Sequence, residues 1–150
     1  MSCLFDSVSS FTKNCSSADL REMVVHYLRS DPLYWDSMKF SQVFSMFPME
    51  DVHGCRNVQE YVHRMTSSHT WGGAIEIQSM CNLFQIGIRV HVFRPRRVAG
   101  GGSGGDPPPI TFVPAVTLDE HKEHKEHKEH HPQVILDLLW TGNHFDPLPR

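Results

Sequence analysis

The sequence predicts an α/β fold of the α+β type, with a small mixed β-sheet flanked by N-terminal helices. Apolar residues recur at helical spacing through the first half of the chain, and β-branched residues cluster at strand spacing in the second half. Because the helices precede the strands, a layered arrangement of helices packed on one sheet is favoured. The 150 residues fit a single domain spanning 1–150, which is long enough to enclose one hydrophobic core.

The helix signals lie in the first half of the chain. Ser16 and Asp19 offer an N-cap hydroxyl and a first-turn acid, and they precede a helix whose apolar positions are Leu20, Met23, Val24, Tyr27 and Leu28. A second helix is predicted at 58–65, and a third follows the breaker at 71–73 with Ile77, Met80, Cys81 and Phe84 on one face. The aromatic- and methionine-rich segment 33–47 predicts one or two short helices packed on the core.

The second half predicts strands joined by two long loops. The strands are IRVHVF at 88–93, ITFV at 110–113 and QVILDLLW at 133–140, the last of them mostly buried. Loop 98–109 is rich in glycine and then proline, and it lacks the strand–loop–helix context of a phosphate-binding loop. Loop 119–131 repeats His-Lys-Glu without a cysteine, so we expect a solvated charged segment and no metal site.

Composition excludes several classes of protein. A net charge of -3 and a pI near 6.4 give no overall attraction to nucleic acid or to an anionic membrane. No apolar run approaches the roughly 18 residues that a transmembrane helix needs. The four cysteines, at positions 3, 15, 55 and 81, form no CxxC pair and follow no secretory signal. We therefore expect free thiols, a reducing compartment and a cytoplasmic location.

Cys3 has two interpretations, and the far end of the chain bears on the choice between them. It is either a small buried hydrophobic residue or a nucleophile at a helix N-terminus, where the helix dipole favours the thiolate. His144 follows the last predicted strand, and Asp146 lies two residues later, on the same side of extended backbone. A carboxylate on one imidazole nitrogen leaves the other free to accept a proton. By itself the His-x-Asp pattern is more typical of a capped turn with a satisfied histidine than of a catalytic pair.

Three segments taken in order resemble the OTU (ovarian tumour) family of cysteine proteases. These are CLFDSVS at the start, EYVHRMTSSHTWGGAIEIQSMCNLFQIGIRVHVF in the middle and GNHFDPL at the end. In that family the nucleophilic cysteine precedes Leu-Phe/Tyr, a Tyr-x-x-x-Met helix precedes Trp-Gly-Gly, and a closing His-aromatic-Asp/Asn supplies the base. The resemblance covers most of the chain, and it implies a compact papain-type fold.

The resemblance implies that Cys3 is the nucleophile, His144 the general base and Asp146 the residue that orients the base. The implied reaction is hydrolysis of the peptide or isopeptide bond after the C-terminal Gly-Gly of ubiquitin or a ubiquitin-like modifier. Ubiquitin and polyubiquitin chains are the implied partners of a monomeric enzyme that needs no cofactor and no metal. If the source is a virus or an effector-secreting bacterium, the host cytosol is the implied location.

The Trp-Gly-Gly motif has an open assignment. Trp71, with Gly72 and Gly73, is expected either to flank the channel that admits a diglycine tail or to anchor the following helix by packing. Glu76 is expected to have a structural part, in a cap or a buried hydrogen bond. No catalytic motif in the sequence includes Cys15, Cys55 or Cys81. Cys81 is expected to be inert, because it lies on the apolar face of its helix.

One departure from the family pattern leaves alternatives open. Members carry Asp-Gly-(Asp/Asn) before the cysteine, in a turn that helps to form the oxyanion hole, whereas only Met1 and Ser2 precede Cys3 here. The chain is then a trimmed form, or the loop is rebuilt from elsewhere, or activity is weak. The alternative functions are a catalytically inactive ubiquitin-binding module and a polyprotein-processing cysteine protease.

Overall fold

The computed structural model describes residues 3–93, 107–117, 132–142 and 144–149, without the side chain of Cys3. The helices are α1 (Cys3–Ser9), α2 (Ser17–Arg29), α3 (Phe40–Phe44), α4 (Val58–Met65) and α5 (Ala74–Phe84), with a 3-10 turn at Met49–Val52. The strands are β1 (Leu33–Trp35), β2 (Met38–Lys39), β3 (Gly87–Val92), β4 (Ile110–Phe112), β5 (Ile135–Trp140) and β6 (Phe145–Pro147). The predicted α+β class and the N-terminal position of the helices are confirmed.

The main sheet is mixed, as predicted, with strand order β4-β3-β5-β6. β3 and β5 run parallel, while β4 and β6 pair antiparallel with their neighbours at the two edges. One face of the sheet meets the helices and buries Ile88, Val90 and Leu138. The prediction that the last long strand is mostly buried is wrong: among the described residues no helix covers the other face of β5, and five of its six residues are half-buried.

Local capping signals account for the N-termini of helices α2 and α4. The Asp19 amide donates to Ser16 Oγ at 3.1 Å, and the Ser16 amide donates back to Asp19 Oδ2 at 3.2 Å. Asn57 caps α4 in the same way, by accepting from the Glu60 amide at 2.9 Å. The apolar face of α2 is buried as predicted, except that Met23 is 41% exposed. Both predicted helices are therefore confirmed.

The segment 33–47 is a short hairpin followed by one helix, so the prediction of helices alone is wrong. The β1–β2 turn contains Asp36 at a φ of 54°, a left-handed conformation that breaks a helix. Tyr34 and Phe40 lie with ring centroids 5.1 Å apart, and both are buried. Burial of these rings confirms that the aromatic residues serve core packing.

α5 is the central helix, and it is buried on more than the one face that its apolar spacing predicts. Every residue from position 75 to 82 is buried, including Glu76, Gln78, Ser79 and Asn82. Asn82 Nδ2 donates to Tyr27 Oη at 3.0 Å and to the Tyr34 carbonyl at 2.9 Å. No fully buried side-chain nitrogen or oxygen among the described residues lacks a hydrogen-bond partner. These bonds fix α5 to α2 and to the β1–β2 hairpin.

Some predictions fall where the structure gives no description. Loop 119–131 and most of loop 98–109 lie outside the described residues, as does the His-Lys-Glu repeat. The prediction of a single domain over 1–150 also stays a prediction. Within the described ranges, no helix combines the length and apolar character needed to cross a bilayer.

Candidate active site

Helix α1 begins at Cys3 and is held to the core by its apolar side. Leu4, Phe5 and Val8 are buried, with at most 1% of any of them exposed. Their spacing places them on one face of a helix, while Asp6 points outward. The position of the helix is therefore set by three core side chains directly after the predicted nucleophile.

A buried hydrogen bond joins α1 to the strand that carries the predicted base. Ser7 Oγ donates to the Phe145 carbonyl at 2.8 Å, across 138 positions of sequence. Phe145 lies between His144 and Asp146, and α1 packs against β6. The helix that starts at Cys3 thus lies against the strand that starts directly after His144, so the two ends of the chain meet.

His144 and Asp146 form a hydrogen-bonded pair at the edge of the sheet. His144 Nε2 lies 3.0 Å from Asp146 Oδ1, and about half of each side chain is exposed. With the carboxylate on Nε2, the other ring nitrogen, Nδ1, is left to accept a proton. The predicted pairing of two residues separated by one position is thus present in the structure.

The β5–β6 turn explains how a histidine comes to stand at this position. Gly142 has a φ of 103°, which favours glycine, and the Thr141 amide donates to the His144 carbonyl at 3.0 Å. Phe145 then packs on Trp140 of β5, with ring centroids 4.6 Å apart. Strand β6 was not predicted from the sequence; its signal is the single glycine between two apolar segments.

Gly72 lies against the start of α1. A Cβ atom at Gly72 would lie 2.8 Å from Leu4 Cδ2 and 3.2 Å from Phe5 Cε2, so only glycine lets the backbone approach this closely. A Cβ atom at Gly73 would meet nothing within 4 Å. Trp71 is 49% exposed, so its indole is not an anchor buried in the core, and its place beside a substrate channel stays a prediction. The Trp-Gly-Gly segment and the nucleophile helix are therefore direct neighbours.

Glu76 has the structural part that the sequence analysis expected. Its Oε1 accepts from the Gly73 amide at 2.8 Å, and its Oε2 accepts from Tyr61 Oη at 2.6 Å. Burial raises the pKa of Glu76 to about 7, although both hydrogen bonds and the charge of Arg21 oppose the shift. The carboxyl caps α5 and fixes the backbone next to Gly72.

Two of the remaining cysteines, Cys15 and Cys81, have surroundings that disfavour a thiolate. Cys81 is fully buried, and burial raises the pKa of its thiol to about 12, which agrees with the expectation that it is inert. Cys55 is buried, whereas Cys15 is partly exposed with its thiol pKa raised by desolvation and by Asp19. Among the described residues, no group of three His, Cys, Asp or Glu side chains could hold a metal ion.

Comparison with known proteins places this arrangement in a family. The family model of OTU-like cysteine proteases matches residues 2–131, which is most of the chain. This chain belongs to the OTU-like cysteine protease family. The matched segment of this OTU-like protease contains Cys3 and the Trp-Gly-Gly motif, and it ends before His144. No individual protein among the curated sequences matches the chain.

Solved structures with the same fold include OTU domains from bacteria and viruses. An OTU deubiquitinase from Wolbachia pipientis wMel bound to ubiquitin has a TM-score of 0.63 and 16% identity, over 98% of this chain and 88% of that chain. An OTU domain in complex with ubiquitin has a TM-score of 0.57 and 21% identity, over 97% of this chain and 62% of that chain. The viral OTU domain protease from Dera Ghazi Khan virus has a TM-score of 0.57 and 15% identity, over 97% and 72%. This likeness confirms the predicted OTU-type fold.

Proposed function

We propose that this OTU-like protease is a cysteine-dependent deubiquitinase, with Cys3 as nucleophile, His144 as general base and Asp146 as the residue that orients the base. The observation that carries the proposal is the packing of α1 on β6 through the Ser7–Phe145 hydrogen bond. This bond is one helical turn from Cys3 and involves the residue between His144 and Asp146, which supports their assignment to one site. The family match and the ubiquitin complexes of two relatives support ubiquitin as the substrate.

The chemistry follows from the position of the carboxylate. Asp146 accepts a hydrogen bond from Nε2–H of His144, so the lone pair on Nδ1 is free to take the proton of the Cys3 thiol. The thiolate attacks the carbonyl carbon of the terminal glycine, and the carbonyl oxygen becomes an oxyanion. Collapse of this intermediate forms the thioester and expels the amine, which takes the proton back from Nδ1. Water activated by the same nitrogen then hydrolyses the thioester and regenerates the thiol.

Selection of a diglycine tail is proposed to come from the Trp71–Gly73 segment. Gly72 lies directly against α1, and the half-exposed indole of Trp71 offers a flat surface beside it. A slot built from backbone and one aromatic ring admits residues without side chains and excludes larger ones. The contact between Gly72 and Leu4 holds the backbone that would form one wall of this slot.

The cellular setting of the enzyme is also proposed. Cys15, Cys55 and Cys81 are free thiols, which supports a reducing, cytoplasmic compartment, or the host cytosol for a viral or secreted effector protein. We propose that the enzyme acts as a monomer on polyubiquitin chains as well as on single ubiquitin, without a cofactor and without binding nucleic acid. Size-exclusion chromatography with light scattering measures the oligomeric state.

A ubiquitin probe with an electrophilic C-terminus tests the reaction and the nucleophile together. The wild-type protein is expected to form a covalent adduct, and Cys3→Ala is expected to form none. Cys15→Ala is the matched control, because Cys15 is the partly exposed cysteine and its loss should leave labelling unchanged. Labelling that persists in Cys3→Ala would refute the assignment of the nucleophile. Binding of ubiquitin without labelling would favour the inactive binding module instead.

The general base is tested by turnover of a fluorogenic ubiquitin substrate. His144→Ala is expected to abolish turnover while thermal melting stays close to that of wild type, because half of the His144 side chain is exposed at the sheet edge. His26→Ala, an exposed histidine on α2, is the control and should keep full activity. Equal turnover in His144→Ala and wild type would contradict the proposal.

A further inference from the structure

Arg21 is a buried cation on the core-facing side of α2. It is 5% exposed and stands next to Leu20, which is fully buried. Burial of a charge is strongly unfavourable unless hydrogen bonds and opposite charges compensate for it. The contacts that compensate for this burial therefore indicate what the residue holds in place.

The guanidinium bridges the two ends of the segment that leads from α4 to the Trp-Gly-Gly motif. Nη1 donates to the carbonyl of Met65, the last residue of α4, at 2.9 Å, and Nη2 donates to the carbonyl of Thr70 at 2.8 Å. Thr70 directly precedes Trp71. A rigid planar fork with donors on separate nitrogens suits two fixed carbonyls, whereas the single ammonium of lysine does not.

The same guanidinium lies on the nucleophile helix. Arg21 Cζ is 4.6 Å from the centre of the Phe5 ring, in a cation–π arrangement. The same ring also contacts Gly72, where a Cβ atom would lie 3.2 Å from Phe5 Cε2. Arg21, Phe5 and Gly72 are thus in continuous contact, and they connect α2, α1 and the Trp-Gly-Gly segment.

Two acidic residues favour the charged form of Arg21. Desolvation lowers the pKa of Arg21, while the charges of Glu76 and Asp6 act in the opposite direction. Asp6 belongs to α1, and Glu76 fixes the Gly73 amide. The electrostatic partners of Arg21 therefore lie on the same two elements that its hydrogen bonds and its ring contact join.

We propose that Arg21 is a positioning residue for the reaction, because its guanidinium sets the nucleophile helix α1 and the Trp71–Gly73 segment relative to each other. This inference rests on the proposed function, and Arg21 itself touches neither substrate nor reacting atoms. When the residue is altered, α1 and the segment shift slightly, and Cys3 meets the imidazole and the scissile carbonyl less favourably. A misplacement of about 1 Å can lower a rate by about 100-fold.

Turnover kinetics of matched variants test the proposal. Arg21→Lys keeps the charge and is expected to fold, yet it should lower kcat about 10-fold or more with a KM change of less than about 3-fold. Arg29→Lys, an exposed arginine on the same helix, is the control and should match wild type. The assay is run well below the melting temperature of each variant, so that the loss is not loss of folded protein. A folded Arg21→Lys with wild-type kcat would overturn the proposal.

Amide hydrogen exchange tests whether Arg21 holds α1 and the Trp71–Gly73 segment in place, and it does not depend on enzymatic activity. In Arg21→Lys, exchange is expected to rise at Thr70, at Gly73 and in α1, and to stay unchanged in β3 and β5. A uniform rise across all these elements would indicate a general loss of stability and would overturn the positioning role. If wild-type protein hydrolyses no ubiquitin substrate, the proposed function fails on that result, while the exchange pattern still decides whether Arg21 holds α1 and the segment together.

Discussion

Replacing Glu76 by glutamine is expected to remove the contribution of one buried carboxyl to the pH dependence of stability. The Glu76 carboxyl is fully buried between the Gly73 amide and the Tyr61 hydroxyl, and burial raises its pKa to about 7 from an ordinary 4.5. The charged and titratable groups that face it are Tyr61 on α4, Arg21 on α2 and Tyr34 on β1. Burial also raises the pKa of each tyrosine, so Glu76 is the group of the four that titrates near neutral pH.

The direction of the pH effect on stability follows because the folded protein binds the Glu76 proton more tightly than the unfolded chain does. Between pH 4.5 and about 7 the unfolded chain has released the Glu76 proton and the folded protein has kept it. The stabilisation from this group is therefore complete below pH 4.5 and is lost as the pH rises through about 7. A shift of this size corresponds to about 3 kcal/mol in full, of which about 2.5 kcal/mol falls between about pH 5 and about pH 8.

Glutamine keeps the geometry and removes the titration. Its carbonyl oxygen accepts from the Gly73 amide, and its amide group donates to Tyr61 Oη in place of accepting from it. The free energy of unfolding is measured by urea denaturation of Glu76→Gln and wild type at about pH 5 and about pH 8. The free energy of unfolding of the variant minus that of wild type should rise by about 2.5 kcal/mol from about pH 5 to about pH 8. Subtracting wild type cancels the titration of groups that both proteins share.

Glu22→Gln, an exposed glutamate on α2, is the control for the loss of one negative charge. Its stability should follow that of wild type at both pH values. Parallel pH dependences for Glu76→Gln and wild type would refute the reasoning, because they would mean that the folded and unfolded chains bind the Glu76 proton equally well.

Three further outcomes are expected. Gly72→Ala should lower stability by about 1–3 kcal/mol in thermal melting, because its methyl group would overlap Leu4, whereas Gly73→Ala, with open space, should cost much less. Asp146→Ala should lower kcat about 10-fold or more in the fluorogenic assay, while Asp146→Asn should keep most of it, because an amide oxygen still accepts from His144 Nε2. A chelator should leave turnover unchanged. Loss of turnover after addition of the chelator would contradict the prediction that no metal takes part.

Helices with local capping signals could be predicted from the sequence. Ser16 and Asp19 stand three positions apart, and the two hydrogen bonds between them need no other part of the fold. The β1–β2 hairpin could not be predicted in this way. Its strands are very short, its aromatic residues pack equally well on a helix, and its turn is fixed by a bond from the Asp36 amide to the distant Ala115 carbonyl at 3.0 Å.

The residue types of the candidate site were predictable, and the contacts that arrange them were not. Cys3, His144 and Asp146 carry recognisable chemistry in a recognisable order, although their catalytic roles remain predictions. The sequence around Ser7 is that of an ordinary helix serine, and nothing in it indicates the hydrogen bond to a carbonyl 138 positions away. Arg21 is a charged residue directly beside Leu20 on a core-facing helix, and this position is a sequence signal of a buried charge. Its partner could not be predicted, because the Met65 carbonyl lies 44 positions away.

The position of the nucleophile helix depends on contacts from three separate parts of the chain. Leu4 meets Gly72, Phe5 meets Arg21, and Ser7 meets the carbonyl of a β6 residue. A helix of seven residues is too short to be stable alone, so these contacts hold it in place. Because each contact is distant in sequence, the helix that begins at Cys3 is held against the strand that follows His144 only by the tertiary fold. Catalytic competence in this arrangement is therefore a property of the complete tertiary structure and not of the segment around Cys3.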